Sequence, residues 1–201
     1  MRNFVAISLL FISVSLFTMC EKFDNIRGSG ERVDHVVEFS AFSKIVVSGS
    51  ASVNVTYGET QQVIISAQEN VYEVMDNHVK NGELNIGLKD RARIKSAKDI
   101  IVTIVTPSPI TDFIIDGSGD LNISGMVQEH FNVEINGSGS IYSYDLEVKN
   151  VDIEISGSGS CKVRASETLH IEINGSGSVY YKGNPNITQS ISGSGSVNSE
   201  N

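Results

Sequence analysis

The second half of the chain alternates apolar and polar residues with a period of two, and the alternation is punctuated at nearly fixed intervals. Gly-Ser-Gly begins at Gly117, Gly137, Gly157, Gly175 and Gly193, so successive units are 20, 20, 18 and 18 residues long. Two residues before the first glycine stand Ile115, Ile135, Ile155, Ile173 and Ile191, and four before it stand Phe113, Val133, Ile153, Ile171 and Gln189. Four after it stand Leu121, Ile141, Cys161, Val179 and Val197. Period two puts one row of side chains in a core and the other in water, so each unit predicts a strand before the triplet and a short strand after it. Glycine supplies the turn with backbone angles that other residues resist.

A unit of this length cannot bury its apolar face alone. Stacking units at about 4.8 Å joins the isoleucines into one ladder and pairs each backbone with the next. The expected fold is therefore all-β, a parallel β-solenoid. A meander of antiparallel hairpins shares the alternation but does not require five triplets in one register. Cys161 shares a column with Ile141 and Val179, which predicts a small buried hydrophobe rather than a reactive thiol.

The first half carries the same kind of strand without the strict repeat. Candidate strands are 33–39, 44–47, 53–57, 63–66, 83–88 and 100–105, with a turn at Asn81-Gly82 and one helical turn within 71–78. Pro107-Ser108-Pro109 breaks the chain before the regular units. Charge divides there too: residues 20–110 hold 10 Lys/Arg against 12 Asp/Glu, and residues 111–201 hold 4 against 12. An irregular β subdomain over 33–108 followed by a repeat region over 109–201 is the expected organisation.

The start of the chain reads as an address. Arg2 precedes a largely apolar run from Phe4 to Phe17, of a length suited to a secretory signal and short of the roughly 20 residues needed to span a bilayer. The run ends directly at Cys20, an arrangement that resembles a bacterial lipobox, although Met19 stands where a small residue is usual. This implies a signal peptide over 1–19, acylation of Cys20 as a membrane anchor, and a polar tether over 20–32. The expected location is the Gram-negative envelope, at the outer membrane. With Cys20 acylated, Cys161 has no partner and no disulfide framework exists.

A net charge of −9 excludes a nucleic-acid binder, whose affinity depends on Lys/Arg neutralising phosphates. Two surface columns are candidates for chemistry. Five residues after the glycine stand Tyr142, Lys162 and Tyr180, an amphipathic strip suited to stacking on sugars or anchoring a protein, or else ordinary exposed β-strand residues. Three before the glycine stand Glu134, Glu154 and Glu172, either a weak cation column or a solvated acidic face that opposes aggregation. No EF-hand loop or nonapeptide calcium repeat is present, no resident metal or other cofactor is implied, and the four histidines lack local metal spacing.

The stretch Ile115-Asp-Gly-Ser-Gly-Asp-Leu121 and its echoes Ile-Asn-Gly-Ser-Gly-Ser from Ile135 and Ile173 resemble the head GIN domain of autotransporter-type adhesins. The likeness spans about residues 35 to 197. It implies a pectin-lyase-like β-solenoid, no catalytic set, and a role in cell adhesion in Bacteroidetes-like envelopes. The residues leave three functions open: a non-enzymatic module binding a glycan or protein, a carbohydrate-active enzyme, or a periplasmic assembly factor. Short connections between units leave no long loops to wall a catalytic cleft, which disfavours the enzyme.

Overall fold

The computed structural model describes residues 24–125 and 127–201. The signal segment 1–19 and Cys20 lie outside the described residues.

Six glycine turns that share one register set the plan. Before them run β3 (Lys44–Gly49), β10 (Asp112–Gly117), β12 (Gln128–Gly137), the ends of β13 (Ser140–Gly157) and β14 (Ser160–Gly175), and β16 (Asn186–Gly193). These segments pair in parallel with unbroken register, so Val47, Ile115, Ile135, Ile155, Ile173 and Ile191 form one column. After the turns run β4 (Ser52–Tyr57), β11 (Asp120–Ser124), the starts of β13 and β14, β15 (Ser178–Lys182) and β17 (Ser196–Ser199). They pair in parallel too, with Val53, Leu121, Ile141, Cys161, Val179 and Val197 in the second column. Strands before and after the turns belong to one 15-stranded sheet, curled and open, whose concave side is the core.

The first half joins this sheet rather than standing apart from it. Ser48-Gly49-Ser50-Ala51 makes the same turn as the later triplets, with Ser118 donating its backbone N–H to the Gly49 carbonyl at 2.8 Å as Ser138 does to Gly117 at 2.9 Å. Between that turn and the next, the chain makes an excursion through β5 (Gln62–Gln68), helix α1 (Glu69–Tyr72), β6 (Met75–Lys80), β7 (Glu83–Leu88), β8 (Ala92–Ser96) and β9 (Ile101–Thr106). Strands β7 and β9 extend the two parallel ladders, and β5, β6 and β2 (Arg32–Val37) add antiparallel ends.

The helical turn expected within 71–78 is α1 at 69–72, and the chain then enters β6. Period-two alternation of Met75, Asn77 and Val79 opposite β7 outweighs the helical reading. The Asn81-Gly82 turn joins β6 to β7 with positive φ at both residues, 53° and 77°, as a tight hairpin turn demands. Within the segment read as a tether, β1 (Asp24–Arg27) pairs in parallel with β8, and Ser29 donates its backbone N–H to the Asn70 side chain at 3.0 Å. The chain is therefore docked from residue 24.

Two contacts explain why the triplet needs both glycines. Gly137 has φ 139°, and a Cβ there would collide with the Gly117 carbonyl of the preceding coil. A Cβ on Gly139 would strike the Gly119 carbonyl and lie 2.7 Å from Cγ2 of Ile115, so the second glycine makes room for both the preceding turn and the ladder methyl. Ala51 occupies this position in the first turn. Full burial of each ladder isoleucine contributes about 1.5–3 kcal/mol, and Phe113 and Phe131 add an edge-to-face contact at 5.4 Å between centroids.

Candidate functional site

The outer face of the second ladder carries the aromatic strip. Register places Tyr142 beside Lys162 and Lys162 beside Tyr180 on adjacent strands. The Lys162 ammonium lies 6.0 Å from the centroid of Tyr142 and 5.3 Å from that of Tyr180. A third ring, Tyr144, lies 5.8 Å from the same ammonium, and Lys182 sits over it at 4.5 Å. Each such contact contributes about 0.5–1 kcal/mol at an exposed site. Tyr142 remains 42% exposed, so the strip offers ring surface to solvent.

Tyr144 leaves the strand pairing at a bulge between Ser143 and Glu147. Its hydroxyl donates to Glu200 at 2.7 Å. Burial, and then the bonded Glu200 carboxylate, pushes its phenol well above the ordinary range. Beside the strip, Asn54, Thr56, Asn122, Tyr142, Tyr144 and Asp145 border a groove of about 370 Å³.

Tyr142, Lys162 and Tyr180 were legible from one column. Tyr144 and Lys182 were missed, although a signal existed. Both stand seven residues after the first glycine of their turns, as does Glu200, so they share the column next to the strip.

The outer face of the first ladder is acidic. Glu134, Glu154 and Glu172 stand in register and point outward, lining a groove of about 450 Å³ with Lys44, Asp112 and Asp152. Among the described residues no group of three or more His, Cys, Asp and Glu is gathered to hold a metal ion. The side chains turn to local partners instead. Asn136 donates to Glu134 at 2.7 Å, His170 lies 3.6 Å from Glu172, and Lys44 pairs with Glu83 at 2.8 Å. The bonded Glu83 carboxylate raises Lys44 above its ordinary range, and Lys44 in turn lowers Glu83.

Neighbouring columns avoid stacking like charges. Asn132 donates to Asp112 at 2.9 Å and Asn136 to Asp116 at 3.0 Å, so at both positions an amide, not a second carboxylate, follows the aspartate in the next coil.

Cys161 is fully buried in the second column, and burial pushes its thiol far above the ordinary range. His35 stacks on Tyr72 at 3.6 Å, and His78 lies 3.2 Å from Asp76. These groups form no constellation with the strip.

A family model described as "Putative auto-transporter adhesin, head GIN domain" matches residues 41–142 and 111–185. No curated protein matches the chain. Among solved structures, a "putative adhesin" from Bacteroides fragilis is 18% identical, with 87% of this chain and 100% of that one covered, at a TM-score of 0.59. A "putative adhesin" from Parabacteroides merdae is 19% identical over 89% of this chain and 100% of its own, at a TM-score of 0.44. A "putative lipid binding protein" from Parabacteroides distasonis is 20% identical over 89% and 100%, at a TM-score of 0.42. The Bacteroides fragilis likeness concerns the fold.

Proposed function

The chain belongs to the auto-transporter adhesin family with a head GIN domain, and on that premise we propose that it is a non-enzymatic envelope lipoprotein that adheres through its aromatic strip. The finer architecture of this reading is a parallel β-solenoid, supported by ladders that keep register through six glycine turns. Cys20 carries the acyl anchor in the outer membrane. Three residues separate it from β1, so the fold is held close to the bilayer.

The observation that carries the reading is the Lys162 ammonium set among the rings of Tyr142, Tyr144 and Tyr180. Flat rings take the apolar faces of sugar rings, and Lys162 and Lys182 reach the oxygens of the same ligand. The strip lies along an open strand surface, whereas turnover of a polysaccharide requires placed acids and a site that excludes water. A glycan is therefore held and released unchanged.

The test is binding of the purified chain to a glycan array beside a Tyr142→Ala/Tyr180→Ala variant. Binding of a defined set of glycans by the wild type, lost in the variant while the far-ultraviolet circular dichroism stays the same, supports the proposal. Equal binding by both proteins, or cleavage of the bound glycan, overturns it.

A further inference from the structure

The stack ends on an open edge. Among the described residues, β16 pairs only with β14, and β17 only with β15. The inner column still runs to the last strand: Ile173 faces Ile191 and Leu169 faces Ile187. Among the described residues no strand pairs on their far side, and Ile187 and Ile191 are 40% and 39% exposed where Leu169 and Ile173 are buried. An open strand also presents unpaired backbone donors and acceptors, which proteins commonly guard with charged side chains. This edge has no such guard. Residues 183–199 contain no Asp, Glu, Lys or Arg, in a chain with 24 acidic and 15 basic residues.

The other end of the sheet differs. It is finished by the antiparallel strands β2 and β6, which bring Arg32, Asp34, Asp76 and Lys80. It offers no parallel edge onto which β16 could continue the ladder head to tail. What the uncharged edge fits is another uncharged edge of the same kind.

We propose that the terminal coil is the interface of a homodimer, in which β16 pairs antiparallel with β16 of a second copy about a two-fold axis at Gln189. Antiparallel pairing centred there places Ile187 opposite Ile191 of the partner subunit and the two copies of residue 189 opposite one another. All three positions lie on one face, because strand side chains alternate with period two. Gln189 stands where earlier coils carry Phe113, Val133, Ile153 and Ile171. Across a two-fold axis two primary amides exchange N–H···O bonds, so a polar side chain that would break an inner ladder is satisfied at its end. The absence of charge at the edge brings together two chains of net charge −9 without local repulsion. An isologous contact uses the same edge on both copies and so closes at two.

Sedimentation of the full chain in density-matched detergent tests this. The expected result is twice the chain mass for the wild type, halved by Gln189→Lys, which sets two ammonium groups face to face at an exposed site. Val36→Lys, on the edge strand β2 at the other end, keeps the doubled mass. Gln189→Cys gives a disulfide-linked pair on oxidation that the wild type does not form, because residues opposite in an antiparallel pair have Cβ atoms within bridging range. A single-chain mass for the wild type, a doubled mass unchanged by Gln189→Lys, or assemblies larger than two would each overturn the proposal.

Discussion

The hydroxyl of Tyr144 donates a 2.7 Å hydrogen bond to Glu200, 56 residues further along the chain, while the ammonium of Lys182 lies 4.5 Å over its ring. The bulge that frees Tyr144 from strand pairing thus joins three coils at the edge of the strip.

That bond has a consequence at alkaline pH. Burial and then Glu200 hold the Tyr144 phenol protonated above its ordinary value of 10.0, and burial holds the Cys161 thiol protonated above its ordinary value of 9.0. Above those values the unfolded chain loses protons that the folded chain keeps, so stability falls as pH rises. The urea midpoint should be level from neutral pH to about pH 9 and decline above it. Cys161→Val should remove the onset near the thiol's ordinary value and leave the later decline. A midpoint level through pH 11 would contradict this account of the two groups.

Gly137→Ala forces a Cβ against the Gly117 carbonyl at φ 139°. Backbone strain and overpacking combine, and the expected loss is about 2–4 kcal/mol in denaturant unfolding. Gly30 also has positive φ, 80°, but nothing lies within 4 Å of its added Cβ. Gly30→Ala should lose about 1 kcal/mol. Equal losses at the two sites would mean that contact between coils contributes nothing.

The ladder should respond by depth. Ile155→Ala removes a fully buried side chain held between Ile135 and Ile173, with an expected loss of about 2–5 kcal/mol. Val127→Ala, at an exposed position just before β12, should change stability by no more than about 0.5 kcal/mol. Comparable losses would point to a loosely packed core.

Lys162→Met removes the ammonium shared by three rings while keeping a side chain of similar length. Glycan binding should weaken about tenfold or more, a change of about 1.4 kcal/mol, and unfolding stability should fall by about 1.5–3 kcal/mol as three ring contacts are lost. Titration calorimetry beside thermal unfolding separates the two effects. Unchanged affinity would remove the lysine from the binding site.

The legible parts of this molecule were those written as columns. Ile135, Ile155, Ile173 and Cys161 lie in the core, and Glu134, Glu154 and Glu172 point outward, as a period of two requires. The same arithmetic reached Tyr142, Lys162 and Tyr180. It missed the earliest coil because Ala51 replaces the second glycine of the triplet there, and because the excursion from β5 to β9 separates that coil from the next. Strand β6 was hidden for a different reason: its pairing with β7 becomes visible only across the hairpin turn. Tyr144 and Lys182 stand in the next outward column, seven residues after the glycine, but the bulge that brings Tyr144 beside Lys162 shows only in the pairing. The side chains that disperse the glutamate column, Asn136 and His170, belong to other columns, so partnership between columns was not written in any single one.

The most direct test of surface adhesion is protease shaving of intact cells that carry the wild-type chain or Cys20→Ala. The account predicts that protease removes the wild-type protein from intact cells and that the Cys20→Ala protein is no longer held in the membrane. Protection of the wild type until the outer membrane is opened would place the strip out of reach of any external ligand and contradict the adhesive function.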